Sequence, residues 1–415
     1  MTRNVKALLT AVFCAYWVQI AVLILAPLKA IELGYPAWAA AALVALWGLL
    51  AVVMDLPAAA LSDQRGRRAT VIAGGGLMAG SALALGFATD YLGLALGIML
   101  FSLGQALSIG PMLAFLTEAT AADQQRRVQG INGFIQGVSS VVAAMAAGLL
   151  AQVDFFLAFV PLLLASIGVI VAAAVTRETI SRTRPDRGRD QVLTAHLRAI
   201  RMAAARPAVG FATLGVILFA VVFTVVASTV LPIVLVDFEG YAPALVGVLL
   251  AFRNLTAAGV ALSFAPVTRR WGVPRAVMWT GVLGVVGTAL FAVTTGEPLL
   301  LLVALAIQGV GVAYSAPAAN VLITDSTSTG ERAVGISSLT VASRATVLVM
   351  PLALAPFLTA SAGGFVFVVS AGLALAVLLS MAWLRPRIPS EVGAALGTPA
   401  TGTAPVERAP DRAGA

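Results

Sequence analysis

Apolar residues in this chain come in long unbroken runs, far longer than the short stretches that line the core of a water-exposed fold. Read from one charged or turn-rich break to the next, twelve such runs stand out. Six lie at roughly 8–30, 38–61, 69–88, 91–117, 131–151 and 155–175, and six more at roughly 208–235, 243–266, 275–294, 298–322, 334–358 and 363–384. A helix needs about 20 residues to cross a bilayer, so each run is predicted to be a membrane-spanning helix. The expected class is an all-α membrane protein with twelve transmembrane helices.

Composition supports this reading. Of 415 residues, 60% are hydrophobic and only 11% are charged, against about 25% charged in a soluble domain. The formal charge of +8 would ordinarily raise nucleic acid as a partner, but its placement argues otherwise. With the N-terminus inside, 23 of the 26 Lys and Arg residues fall in tails or loops on that one side. Lys29 sits at an outer edge, and Arg253 and Arg344 lie within spans. Glu32, Asp90, Asp154, Asp237, Glu239 and Glu297 mark the other side. This is the positive-inside pattern, and it accounts for the charge without nucleic acid. The first span is longer than a signal-peptide core and has no convincing cleavage site after it, so it is expected to be retained. A multi-pass protein of the bacterial cytoplasmic (inner) membrane is expected, with both termini cytoplasmic.

Six spans, a polar connector and six more spans suggest an internal duplication. "SDQRGRR" (62–68) after span 2 has a counterpart in "TRRWGVPR" (268–275) after span 8, which aligns Gly66 with Gly272. "FLTEATAADQQRR" (115–127) after span 4 has one in "LITDSTSTGER" (322–332) after span 10, aligning Glu118 with Asp325. Internal symmetry of this kind is what a two-bundle secondary transporter shows. The expected units are an N-terminal bundle, 1–175; a cytoplasmic connector, 176–207; a C-terminal bundle, 208–384; and a disordered tail, 385–415. From Leu193 the connector repeats Leu193, Leu197 and Ile200 at helical spacing with Arg198 and Arg201 between them, so it is predicted to carry a short basic amphipathic helix at the membrane face. His196 belongs to that helix as a surface residue.

"ALSDQRGRR" resembles the signature loop between helices 2 and 3 of the major facilitator superfamily, roughly G-x-L-A-D-R-x-G-R-R. Asp63, Gly66, Arg67 and Arg68 match, Ala59 stands where the family has glycine, and Gln64 replaces the first arginine. "DLPAAALSD" (55–63) is similar to the E-x-P-T-G-x-x-A-D variant, with Asp55 for glutamate. The layout of all twelve spans fits as well. The resemblance implies two pseudo-symmetric six-helix bundles, and a gating latch made of Asp63, Gly66, Arg67, Arg68 and Glu118 that holds the inner side shut in one state and releases it in the other. Physically, Gly66 permits a turn with positive φ, and Glu118 is placed to accept a charge-assisted bond from Arg67 or Arg68. The alternative is that the basic loop only sets orientation. The second-half copy keeps Arg269, Arg270 and Gly272 but has no acid where Asp63 would be, so it is expected to retain the turn and lose the switch. A helix-5 pattern of some drug–proton antiporters is only echoed in the small residues of "SVVAAMAAGL" (140–149), which close helix packing explains equally well.

Ionisable side chains in mid-membrane cost about 2.5–3.5 kcal/mol and are functional candidates by default. There are three: Asp55 in span 2, Arg253 in span 8 and Arg344 in span 11. In the family's arrangement spans 2 and 11 face each other, as do 5 and 8. Asp55 and Arg344 are then expected to form an inter-bundle ion pair, and Arg253 to face Asn132, Gln136, Ser139 and Ser140 of span 5. Two readings of the pair stand: Asp55 is a proton-coupling carboxylate whose protonation frees Arg344, or the pair is static and structural. Arg253 and Arg344 could also hold an anionic substrate group. Other polar residues sit mid-span, and helices 1, 4, 7 and 10 line the cavity in this family. Tyr16, Gln19, Gln105, Gln136, Arg253, Gln308 and Tyr314 are therefore the expected substrate-cavity residues, each of them alternatively an ordinary interhelical hydrogen bond. Pro111, with Gly110, and Pro317 are expected to kink spans 4 and 10.

One cysteine, Cys14, and one histidine exclude a disulfide framework or a Cys/His metal centre. There is no phosphate-cradling G-x-x-x-x-G-K-[ST] loop, so neither ATP-driven pumping nor enzymatic activity is expected, and no cofactor or metal. The expected function is secondary active transport: proton-coupled export (antiport) of a small amphipathic drug or secondary metabolite by alternating access. The alternatives are an organic-anion transporter using Arg253 and Arg344, or a transport-inactive sensor or scaffold with the same fold. Expected partners are the small-molecule substrate, protons and the lipid bilayer, with the protein acting as a monomer.

Overall fold

The computed structural model describes residues 2–120, 124–178, 197–198, 200–327, 332–358, 364–389 and 392. Among the described residues there are helices and no strands. This follows from the solvent: in hydrocarbon an unpaired backbone N–H or C=O has no water to turn to, and a helix satisfies them all within one segment.

Twelve helical spans are long and apolar enough to cross a membrane. The first six are α1 (Arg3–Glu32), α2 (Ala37–Arg65), α3 (Arg67–Gly86), α4 (Tyr91–Glu118), α5 (Gln125–Val153) and α6 (Phe155–Ala174). The second six are α7 (Pro207–Phe238), α8 (Pro243–Ala261, continued by Phe264–Trp271), α9 (Val273–Thr294), α10 (Pro298–Ser326), α11 (Arg332–Leu354) and α12 (Phe365–Leu384). Two spans of the first bundle begin on aspartate caps. Asp90 accepts from Gly93 N and Asp154 from Phe156 N and Leu157 N, each satisfying donors the first turn leaves orphaned. Gly66 (φ 98°) and Gly272 (φ 76°) turn the chain between α2 and α3 and between α8 and α9. A side chain is strained at such angles, so the two glycines that the internal repeat aligns occupy the same kind of joint.

Within the first bundle α3 packs on α4 and α6, and α1 on α5 and α6; within the second, α9 packs on α10 and α12. Two antiparallel seams join the bundles, α2 against α11 and α5 against α8, with α1 against α7 between them. Near the arginine-poor end the seams are dry and close. A Cβ on Gly48 would stand 2.5 Å from Leu348 N, and one on Gly148 would stand 2.6 Å from Gly247 Cα. Only glycine allows backbones to approach this way, the small-residue packing typical of membrane helices. Toward the arginine-rich end, Gly110, Gly130, Gly133 and Gly259 face open space.

Three spans depart from a plain α-helix. α10 is interrupted at Ala313–Tyr314 and α8 at Leu262–Ser263. Each interruption begins four residues before a proline, Pro317 and Pro266, whose missing N–H leaves that turn's carbonyl without a partner. α4 runs unbroken through Pro111, so the interrupted pair is α8 and α10, where spans 4 and 10 were expected to bend. The two breaks meet: the Ser263 and Tyr314 hydroxyls are hydrogen-bonded to each other, and Phe264 packs edge-on against Tyr314. In α7, residues Ala220–Val230 and Val234–Phe238 are π-helical. There the Ser228 and Thr229 hydroxyls donate to carbonyls five residues back, Phe223 O and Thr224 O.

The predicted amphipathic helix of the connector falls largely outside the described residues, Leu193 and His196 included. Residues 200–205 are helical, and Leu197 and Ile200 are exposed. The tail beyond 392 is likewise outside the described residues.

Candidate functional site

The polar side chains inside the membrane gather on the two seams. On the α2–α11 seam, Arg344 Nε donates to Asp55 Oδ2 at 3.1 Å, with side-chain exposures of 16% and 20%. Asp55 lies seven residues beyond Gly48 along α2, about 10 Å toward the arginine-rich end at 1.5 Å per residue. The pair therefore sits below the dry closure. The Arg344 guanidinium also lies over the Trp47 ring, 5.0 Å from its centroid, a cation–π contact that supports a charge away from water. Trp47 is itself buried and donates from Nε1 to Gln105 Oε1 at 2.7 Å. That bond orients the Gln105 amide and leaves its Nε2 buried without a partner. The half-buried Tyr16 phenol of α1 lies within the field of Arg344. One carboxylate, one guanidinium, an indole and an amide thus form a chain from α4 through α2 to α11.

The α5–α8 seam is built differently. Arg253 was expected to face the polar stripe of α5, but its guanidinium turns to α7. The reason is local. The π-helical stretch presents the Phe223 ring 4.2 Å from the guanidinium carbon and Ser228 Oγ 3.4 Å from Nη2. The next residue makes the crossing instead: Asn254 Nδ2 donates to Ser140 O at 3.1 Å, while its Oδ1 accepts from Arg253 Nε and Nη2 at 3.2 and 2.7 Å. Ser139 Oγ is spent on Phe13 O and Ser140 Oγ on Gln136 O.

The remaining expected cavity residues divide. Gln308 is buried, donates from Nε2 to Val222 O at 2.8 Å, and keeps Oε1 unpartnered. Gln19 and Gln136 are half-buried. Tyr314 is buried in the joint between the broken helices. Trp47, Phe223, Ser228, Asn254 and Ser263 were not singled out by sequence reasoning. Their signals were faint: one aromatic or small polar residue each within an apolar run, and for Ser263 a proline three residues on.

At the arginine-rich end Arg67 holds Glu118 in a two-pronged bond, Nε to Oε2 at 3.0 Å and Nη2 to Oε1 at 2.8 Å. Such forks are strong and directional. Arg68 donates from Nη2 to Ala174 O, and its backbone N–H donates to Glu178 Oε2. These contacts tie α3, α4 and α6 together within one bundle. The side chain of Asp63 lies outside the described residues.

Two six-helix bundles about a polar, partly charged midplane define a multi-pass membrane transporter. The family profile for the Major Facilitator Superfamily matches residues 8–252 and 226–411, and the chain belongs to that superfamily. Solved structures share the fold at low sequence identity. A peptide transporter, POT, in complex with sulfate is 13% identical with a TM-score of 0.77, covering 95% of this chain and 96% of that one. A POT family transporter in complex with 5-aminolevulinic acid is 13% identical with a TM-score of 0.73, covering 93% and 97%. The nucleoside transporter NupG is 13% identical with a TM-score of 0.68, covering 93% and 99%. No curated protein sequence matches the chain significantly.

Proposed function

We propose that this transporter is a proton-coupled exporter of a small amphipathic compound, and that Asp55 is its coupling carboxylate. The observation that carries the reading is the Asp55–Arg344 pair, which ties α2 to α11 across the two bundles. Protonating Asp55 removes the charge that holds Arg344 and frees the seam. The bundles, residues 1–175 and 208–384, then rock about the midplane, joined by the connector. Positive-inside placement of the arginines puts both termini and the arginine-rich end in the cytoplasm, of a bacterial inner membrane on this reading. With that orientation, the glycine closure at the other end corresponds to an inward-facing state. The Arg67–Glu118 fork keeps one bundle rigid at the gate, and Asp63 completes the latch when the inner side shuts.

The amphipathic cargo is inferred from the mixed aromatic and amide character of the side chains grouped between the helices, Trp47 and Phe223 with Gln105 and Gln308, of which Trp47, Gln105 and Gln308 are buried in the described state. The fold neighbours are named for nucleosides and peptides, so the fold alone does not select this cargo. A sensor or scaffold with the same fold is disfavoured by the retained latch residues Asp63 and Glu118. The test is a resistance and accumulation screen in an efflux-deficient host, followed by flux of any hit in proteoliposomes under an imposed pH gradient. Export by wild type that falls to background in Asp55→Asn is the expected result. Sensitivity equal to the empty vector across broad chemistries, or full gradient-driven export by Asp55→Asn, would overturn the reading.

A further inference from the structure

Arg253 carries a buried charge that no ion pair among the described residues balances. Its side chain is 1% exposed, and among the described residues the ion pairs are Lys29–Glu32, Arg67–Glu118 and Asp55–Arg344, none of which includes it. A guanidinium in a dry interior is costly unless paired. Neutral groups share part of it: Asn254 Oδ1 on one edge, Ser228 Oγ on Nη2, and the Phe223 ring on its face. Nη1 has no partner among the described residues. Buried polar atoms are almost always satisfied, so a buried cationic donor that meets no protein acceptor is a candidate to meet one on a ligand.

A second unfilled atom stands at the same junction. α10 backs onto α8 where a Cβ on Gly309 would lie 2.7 Å from Arg253 O. The residue before that glycine is Gln308. Its Nε2 is tied to Val222 O, next to Phe223, which fixes the amide orientation and leaves Oε1 without a donor. One junction of α7, α8 and α10 therefore holds a cationic donor and a neutral acceptor. Both are buried and open, and neither is bonded to the other.

We propose that this junction binds a small organic monocarboxylate that also carries a hydroxyl or N–H donor. The carboxylate takes Arg253 Nη1, the donor group takes Gln308 Oε1, and the apolar body packs on Phe223. The charge balance selects a monoanion, because Arg344 is already matched by Asp55 and Arg253 is the unmatched guanidinium within the spans among the described residues. The open acceptor on Gln308 selects against a halide, which has nothing to donate. Phe223 is half-buried and lies against the guanidinium, so displacement of one ring uncovers the site. The inference rests on the transport reading only in treating this ligand as cargo. Binding itself requires neither flux nor a proton gradient.

The experiment uses the purified full-length protein in detergent, with mandelate, an aromatic monocarboxylate bearing a hydroxyl, as the probe. Phenylacetate lacks the hydroxyl, mandelamide lacks the charge, and sodium chloride matches the ionic strength. Saturable binding by equilibrium dialysis, with a matching rise in melting temperature, is expected for mandelate and absent for mandelamide and chloride. Phenylacetate should bind at least about tenfold more weakly, the loss of roughly one good hydrogen bond left unmade in a buried site. Gln308→Leu should erase that difference, and Arg253→Gln should abolish binding. Asn254→Asp gives Arg253 a carboxylate of its own and should also abolish mandelate binding while the fold is kept, which protects the test if Arg253→Gln misfolds. Equal binding of mandelate and mandelamide, no saturable binding of mandelate, a response to chloride alike, or undiminished binding in Asn254→Asp would overturn the proposal. Failure here leaves gradient-driven export intact, and failure of export leaves these binding results intact, so the two readings fall separately.

Discussion

The two seams between the bundles do the same job with opposite chemistry. The α2–α11 seam has a backbone approach at Gly48 and Leu348 and, beyond it, an ion pair, Asp55 with Arg344, both partly exposed and backed by Trp47. The α5–α8 seam is held by a backbone approach at Gly148 and Gly247 and by a neutral amide, Asn254 to Ser140 O. Its own arginine is sealed against α7 and takes no part in the crossing. On the proposed reading a proton on Asp55 removes the ion pair of the first seam, whereas among the described residues the second is crossed by a neutral amide. We read the first as the seam that responds to protons and the second as a joint that opens when the first lets go.

Four substitutions break or sharpen that contrast, in decreasing order of effect. Gly148→Val should be the most damaging, because the new side chain meets the backbone of Pro243 and Gly247, which cannot give way. Flux should fall below detection, and spin labels across the arginine-poor ends of α5 and α8 should report a longer distance. Arg344→Ala comes next. It leaves Asp55 without its partner, and a partly exposed pair should lose somewhat less than the 3–5 kcal/mol of a dry one, about 2–3 kcal/mol. The readout is a lowered melting midpoint, partly restored by Arg344→Lys. Asn254→Ala removes the hydrogen bond across the second seam and the two that Oδ1 accepts from the buried Arg253 guanidinium, about 2 kcal/mol. It should slow flux several-fold and leave the number of protons per cargo unchanged. Tyr314→Phe should be mildest, about 0.6 kcal/mol for one interhelical bond. It loosens the joint between the broken helices, and should alter the rate of cycling without altering coupling.

Much of this architecture was legible in the residues. Run length alone located twelve spans, because in hydrocarbon the requirement to satisfy the backbone leaves few other structures. Gly66 and Gly272 announced their turns, since positive φ has few alternatives to glycine. Asp55 and Arg344 were conspicuous as charges in apolar runs, and the family arrangement of helices 2 and 11 supplied the pairing. Other features were hidden. The π-helical stretches of α7 lie in a run rich in valine that reads as ordinary helix, and a shift from four- to five-residue bonding leaves no mark on composition. That shift is what turns Arg253 away from α5. The break in α8 had a signal in Pro266, but Pro111 sits in an unbroken α4, so a proline shows where a helix can break and tertiary contacts such as Ser263–Tyr314 decide whether it does.

The most direct test of the proton-responsive seam needs no knowledge of the cargo. Spin labels at Leu49→Cys and Val349→Cys, both exposed beside the Gly48–Leu348 contact, are placed in a Cys14→Ala background and their separation is measured in nanodiscs across a pH series. Acidification should convert a short separation into a longer one, and Asp55→Asn should show the longer separation at every pH. A pH response in Asp55→Asn identical to that of the parent would contradict the account, because the group that opens the seam would then lie elsewhere.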